Sequence, residues 1–256
     1  MRSRRLSRWW GGLGAVLILI STGPQAFAQS SLSIPSVTLN THGGSSPSQV
    51  ISILALLTLL SFVPALLLTM TAFTRVITVL AFVRSALGLQ QTPPNQVLIG
   101  LALFLTFFIM APTFQQIDHQ ALIPYMHGHM GLIQASNKAL GPLRLFMYQQ
   151  TRPTDIALFL RLDHLPPPKS LSQVPTVALI PAFIISELKT AFEIGVYIFI
   201  PFVIVDLVVS TVLMSLGMMM VPPTLISLPL KLLLFVLANG WSLVVQSLVL
   251  SFHGVR

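Results

Sequence analysis

Three features of this chain predict an all-α membrane protein with about four apolar helical segments, some of them Pro-broken helical hairpins. First, its 256 residues are 54% hydrophobic and only 8% charged, with mean hydropathy +0.84. Soluble domains carry about 25% charged residues, so a soluble fold is excluded. Second, the apolar residues gather into two blocks, 49–112 and 177–256, around a more polar insert, 113–176. Third, the stretch Ser186–Pro223 keeps Glu187, Lys189, Glu193 and Asp206 in an otherwise apolar run. A charge at membrane depth costs about 2.5 to 3.5 kcal/mol on insertion scales, so such groups face protein or water rather than lipid.

The chain opens on Arg2, Arg4, Arg5 and Arg8, then the apolar run Trp9–Ile20 and a small-residue site, Ala26-x-Ala28 before Gln29. A basic region, a short apolar core and a small-residue site describe a secretory signal peptide, residues 1–28. About twelve apolar residues span a bilayer poorly, which favours cleavage between Ala28 and Gln29 over a retained first helix. Ten basic and six acidic residues then remain, scattered rather than patched, so nucleic acid is not an expected partner. Residues 29–48, rich in Ser, Thr, Pro and Gly, read as a flexible exported linker.

Val50–Phe73 is the first segment of membrane length, with Pro64 inside it. VITVLAFVRSALGLQQTPPN reads as an amphipathic or re-entrant helix ending at Gly88, and Val97–Pro112 as the second clear segment. In the insert, TDIALFLRL reads as a short amphipathic helix with Ile156, Phe159 and Leu160 on one side. Prolines 181, 201, 222, 223 and 229 divide the second block. A helix is expected from near Ile185, with Phe192–Met220 too long to cross upright. Thr224–Leu250 is the last segment. A cleaved leader places the insert outside and Arg75 and Arg84 near the cytoplasmic side.

Within the helix from Ile185, Lys189 and Glu193 stand four apart on one face and can pair. Glu187 needs another partner. Asp206 must be protonated or meet a cation, with Lys231, Arg75 and Arg84 as candidates. An inter-helix or inter-subunit assembly role is expected of Glu187 and Asp206. Met218, Met219 and Met220 lie between Gly217 and Pro222-Pro223, which oppose helix, so 217–223 reads as a loop. Methionine is unbranched and polarizable, which suits either a deformable seal or simple filler. No cysteine is present and no hydrolase, zinc-protease or nucleotide-binding motif occurs. No cofactor, metal or enzymatic activity is therefore expected. A stand-alone secondary transporter would also place broken helices at midplane, but no inverted repeat relates the two blocks.

The segments TAFTRVITVLAFVRSALGLQQTPPNQVLIGLALFLTFFIM, PAFIISELKTAFEIG and DLVVSTVLMSLGMMMVPPTLISLPLKLLLFVLANGW closely resemble the FliP family of flagellar and injectisome export-gate proteins. The resemblance covers about Gln49 to the last residue. It implies ring oligomerisation, as a pentamer, with FliQ and FliR homologues around a pore for unfolded flagellar proteins. FlhA and FlhB homologues are further partners, with a cytoplasmic ATPase complex and proton motive force as the drive. It implies a multi-pass protein of the bacterial inner membrane at the flagellar basal body, with 113–176 as a periplasmic insert. By resemblance Met218, Met219 and Met220 form a gasket, Glu187 and Asp206 match important acidic positions, and Arg152 matches an exported-loop arginine. Injectisome relatives usually lack a cleavable signal, so Met1–Ala28 favours the flagellar member.

Overall fold

Pro112, Pro142, Pro181, Pro201 and Pro229 lie inside helices of this protein without ending them, and one rule accounts for these five. A proline removes the hydrogen bond to the carbonyl four residues earlier. In the computed structural model those carbonyls belong to Phe108, Lys138, Val177, Tyr197 and Leu225, every one an exposed residue. The structure describes residues 51–253 except 52, 53, 55, 56, 59, 60, 63, 66, 67, 167, 169–172 and 219. The leader, the linker, Ala28, Gln29 and Met219 lie outside the described residues. The elements below belong to one unit, 53–256.

The described residues from Leu54 to Thr69 are helical. The segment expected to run to Phe73 ends earlier, at a turn over 70–72, and Phe73 opens the next helix. That helix, α1 (Phe73–Ala86), buries Arg75, Val76, Val79, Leu80, Val83 and Ala86 at three- and four-residue spacing. It stops before Gly88, at φ +76°, where the sequence placed its end. Then α2 (Asn95–Ile117) runs through Pro112 and continues through a π turn, Asp118–Leu122, to Met126. The polar insert holds α3 (Leu132–Gln150) and α4 (Pro153–Leu162). The amphipathic reading of α4 holds: Ile156 and Leu160 are buried, and Phe159 packs against the same core.

The longest element, α5 (Thr176–Ser215), has 40 residues and spans Pro181 and Pro201. This corrects two expectations: the helix starts nine residues before Ile185, and neither proline divides it. At ~1.5 Å per residue it extends about 60 Å, twice the ~30 Å hydrocarbon core. Its first half carries a stripe of buried residues, Ala178, Leu179, Ala182, Phe183, Ser186, Glu187, Ala191 and Gly195; the second half buries only Phe202, Val209 and Leu213. The stripe packs against α1, α3 and α4. At Gly195 the approach to α1 is so close that a Cβ would lie 2.7 Å from Phe82 Cδ2.

Gly217, at φ +76°, ends α5. Its N–H donates to Met214 O at 3.1 Å and the Met218 N–H to Leu213 O at 3.0 Å. This is the paired bonding of a Schellman cap, which requires a left-handed residue here. Pro222 and Pro223 then open α6 (Pro223–Leu237), where a missing N–H costs nothing. The last segment is not one straight helix: α6 breaks at Ala238 and Asn239, and α7 (Gly240–His253) leaves at a 64° bend. Asn239 takes φ 51° at that break.

No strand occurs among the described residues. Among the described residues two helices, Asn95–Met126 and Thr176–Ser215, are long and apolar enough to cross a membrane, and the bent α6–α7 pair together passes the same test.

Candidate functional site

The stripe geometry of α5 decides where its charges go. Glu187 lies on the buried stripe and is 0% exposed. It receives Arg75 in a forked contact, Nε to Oε2 at 2.9 Å and Nη2 to Oε1 at 2.5 Å. Such two-point pairing is the strong form of the carboxylate–guanidinium bond. Arg75 is itself 1% exposed and also donates to Gln150 Oε1 at 3.1 Å, so it lies against the insert, contrary to the expectation that the membrane separates them. A cation in the first turn of α1 opposes the helix dipole, so this arginine is held by its partners. Glu187 thus meets its counter-ion within its own chain, 112 residues away.

Lys189 and Glu193 do not pair with each other, contrary to the expectation from their spacing. Lys189 binds Asp155 of α4, and Glu193 receives Arg152 Nη2 at 2.7 Å. Two physical reasons favour this outcome. Lysine preceding glutamate is the weaker order for an i,i+4 helix pair. Asp155 is also a buried acceptor, 2% exposed, already fixed by the Ser186 hydroxyl at 2.7 Å. The Arg152 N–H in turn donates to Ser186 Oγ at 3.0 Å. Ser186 therefore sits between α4 and α5 as a shared hydrogen-bonding post. Burial alone would raise the Asp155 carboxyl. The hydrogen bonds from Lys189 and Ser186, with the charges of Lys189 and Arg152, outweigh it and hold the group below its ordinary value.

Among the three cations considered for Asp206, Lys231 of α6 supplies the contact, Nζ to Oδ2 at 2.6 Å. Arg75 belongs to Glu187. Arg84 instead donates to Asn95 Oδ1 at 2.6 Å and Pro93 O at 3.3 Å. The Lys231 side chain is 10% exposed and that of Asp206 40%. This pair lies between α5 and α6, on the two sides of the methionine loop. In that loop Met218 is exposed and Met220 is 98% exposed.

The structure thus separates the expected residues into three groups: a pair tying α5 to α1, a polar clamp tying α5 to α4, and a pair below the methionine turn. Asp155, Ser186 and Gln150 were missed as members, and Arg75 was a candidate for Asp206 alone. Asp155 had a local signal, as an acid in the first turn of a helix whose N-terminus favours negative charge. The Gln150 contact had none.

Long apolar helices, internally neutralised charges and broad exposed apolar faces define an all-helical integral membrane protein. The FliP family model matches residues 56–248. A flagellar biosynthetic protein FliP of Bacillus subtilis is 54% identical over 217 residues, covering 84% of this chain and 98% of the relative. Its namesake in Pectobacterium carotovorum is 48% identical over 94% of this chain and 92% of its own length. A third, from Borreliella burgdorferi, is 46% identical over 86% and 88%. This chain belongs to the FliP family.

Proposed function

We propose that this chain is a pore-forming, non-enzymatic subunit of a flagellar type III protein export gate. In this reading several copies, a pentamer, close a ring with FliQ and FliR homologues in the inner membrane at the flagellar basal body. FlhA and FlhB homologues stand beside it, and unfolded flagellar proteins pass through the centre. Residues 1–28 direct export and are removed between Ala28 and Gln29. Residues 29–48 trail on the outer face as a linker, and 113–176 lie on that face with α3 and α4.

The observation that carries this reading is the methionine turn. Family membership and the relatives' printed role in flagellar biosynthesis give the class. The turn supplies a mechanism. Met220 is almost wholly exposed at the junction of two apolar helices, an arrangement that leaves a large apolar side chain without cover in a single copy. Flexible thioether side chains from several copies around an axis would close a hole and yield to varied polypeptides. The exposed faces of Phe104, Phe107 and Phe108 on α2 and of Val203, Ile204 and Leu207 on α5 fit burial against neighbouring subunits. The ion pairs fix α1, α4 and α6 on α5, so that each copy enters the ring as a rigid wedge.

The test is complementation. The gene is expressed in a flagellated bacterium lacking its own FliP relative, and swimming, secreted flagellar protein and co-purified partners are measured. Restored export with a large complex containing two small hydrophobic partners supports the proposal. A chain that stays monomeric and moves a small solute in liposomes refutes it in favour of a transporter.

A further inference from the structure

The Arg75 guanidinium does more than neutralise Glu187. Its Nη1 donates to the backbone oxygen of Ser251 at 3.1 Å and to Ser251 Oγ at 3.0 Å. Beside it, Gln150 Nε2 donates to Phe252 O at 3.0 Å. The guanidinium carbon also lies 3.8 Å from the centre of the Phe252 ring. Ser251 and Phe252 belong to the last described turn of α7. A cation and an amide from remote elements therefore grip the α7 backbone, 176 and 102 residues away in sequence. Elsewhere α7 meets α2 and α6 over short stretches and stacks Phe252 on Phe146 of α3, with Val244, Leu248 and Phe252 as its buried apolar residues.

We propose that Arg75 and Gln150 form a docking seat for α7, and that Glu187 is a positioning residue aiming the Arg75 fork at it. In this arrangement α7 is a separately seated helix that can leave the body without unfolding it. The inference is independent of the export function. Loss of Glu187 would act on the far helix through Arg75.

The absence of cysteine from the sequence makes the test direct. Single cysteines are placed at Leu248, buried in the seated helix, at exposed Ser247 on the same helix, and at Ala182, buried in the α5 stripe. Maleimide labelling rates are measured on the full chain in detergent. In the parent background, Leu248→Cys and Ala182→Cys label slowly and Ser247→Cys quickly. Arg75→Lys keeps the charge but lacks the fork that reaches Glu187 and Ser251 together. It should speed labelling at 248 by roughly a hundredfold while 182 stays protected. Gln150→Leu leaves the Arg75–Glu187 pair intact and should speed it by about tenfold. Glu187→Gln should act at 248 as well. The proposal is overturned if 248 stays protected in both Arg75→Lys and Gln150→Leu. Parallel exposure of 182 overturns it too, since the cluster would then hold the whole core and not one helix.

Discussion

Neutralising one member of the Asp206–Lys231 pair should hurt far more than neutralising the other. The contact is a single 2.6 Å bond, but the side chains differ in burial, with Lys231 at 10% exposure and Asp206 at 40%. Asp206→Asn strands a buried ammonium, a situation that costs about 3 to 5 kcal/mol. Lys231→Met leaves the less buried of the two charges, its side chain 40% exposed, and adds an apolar chain of similar length, so its cost falls to about 1 to 2 kcal/mol. The double variant carries no unpaired charge and should return close to the parent. At this chain length, 1 kcal/mol shifts Tm by roughly 2 to 4 °C. Thermal unfolding of the purified protein in detergent should then show Asp206→Asn lowest by roughly 10 °C, Lys231→Met down by roughly 4 °C, and the double near zero. Native gels should rank assembled complex in the same order. A Lys231→Met loss equal to or larger than that of Asp206→Asn would refute the burial argument. So would a double variant no better than the worse single.

The remaining outcomes concern the clamp, the close approach and the loop. The folded-state pKa of Asp155 is depressed, so its stabilisation is complete above the ordinary aspartate range, about 3.9. That stabilisation is lost as pH falls through the folded value. Asp155→Asn should therefore lower stability at neutral pH and converge on the parent in acid; a gap of constant size at every pH, read by unfolding midpoints, contradicts this. Gly195→Ala places a Cβ 2.7 Å from Phe82 Cδ2 and should cost about 1 to 3 kcal/mol. Phe82→Leu should recover part of it, as measured by denaturant midpoints. Replacing Met218, Met219 and Met220 with alanine should leave assembly intact but make the assembled gate leak small ions, and unchanged conductance of the purified complex would remove the seal from the mechanism.

Much of the architecture was legible because helix periodicity is local. The stripe in α1, the amphipathic α4 and the loop between Gly217 and Pro222 each follow from residues within a few positions of one another. Proline misled the reading of α5. Whether proline breaks a helix depends on what becomes of the freed carbonyl, and for Pro181 and Pro201 that carbonyl belongs to an exposed residue four positions back. The ionic partners were only half legible. Lys231 was among the cations considered for Asp206, but Lys189 and Glu193 were paired by spacing when α4 offered both better partners. Their choice depends on Ser186 bringing Asp155 and Arg152 against α5, and helix packing is not written in either helix alone. Glu187, Arg75, Gln150 and Ser251 come from four separated segments, so no sequence window contains their cluster.

The reach of α5 has one geometric consequence. To hide all of its ~60 Å inside a ~30 Å oily layer, the rod would have to lean about 60° from the membrane normal, whereas spanning helices lean by 0–40°. Some of it therefore stands clear of the acyl chains. Residues such as Phe192, Val196 and Tyr197 are uncovered near its middle, and any part of that apolar surface that stands beyond the lipid needs other protein to shield it.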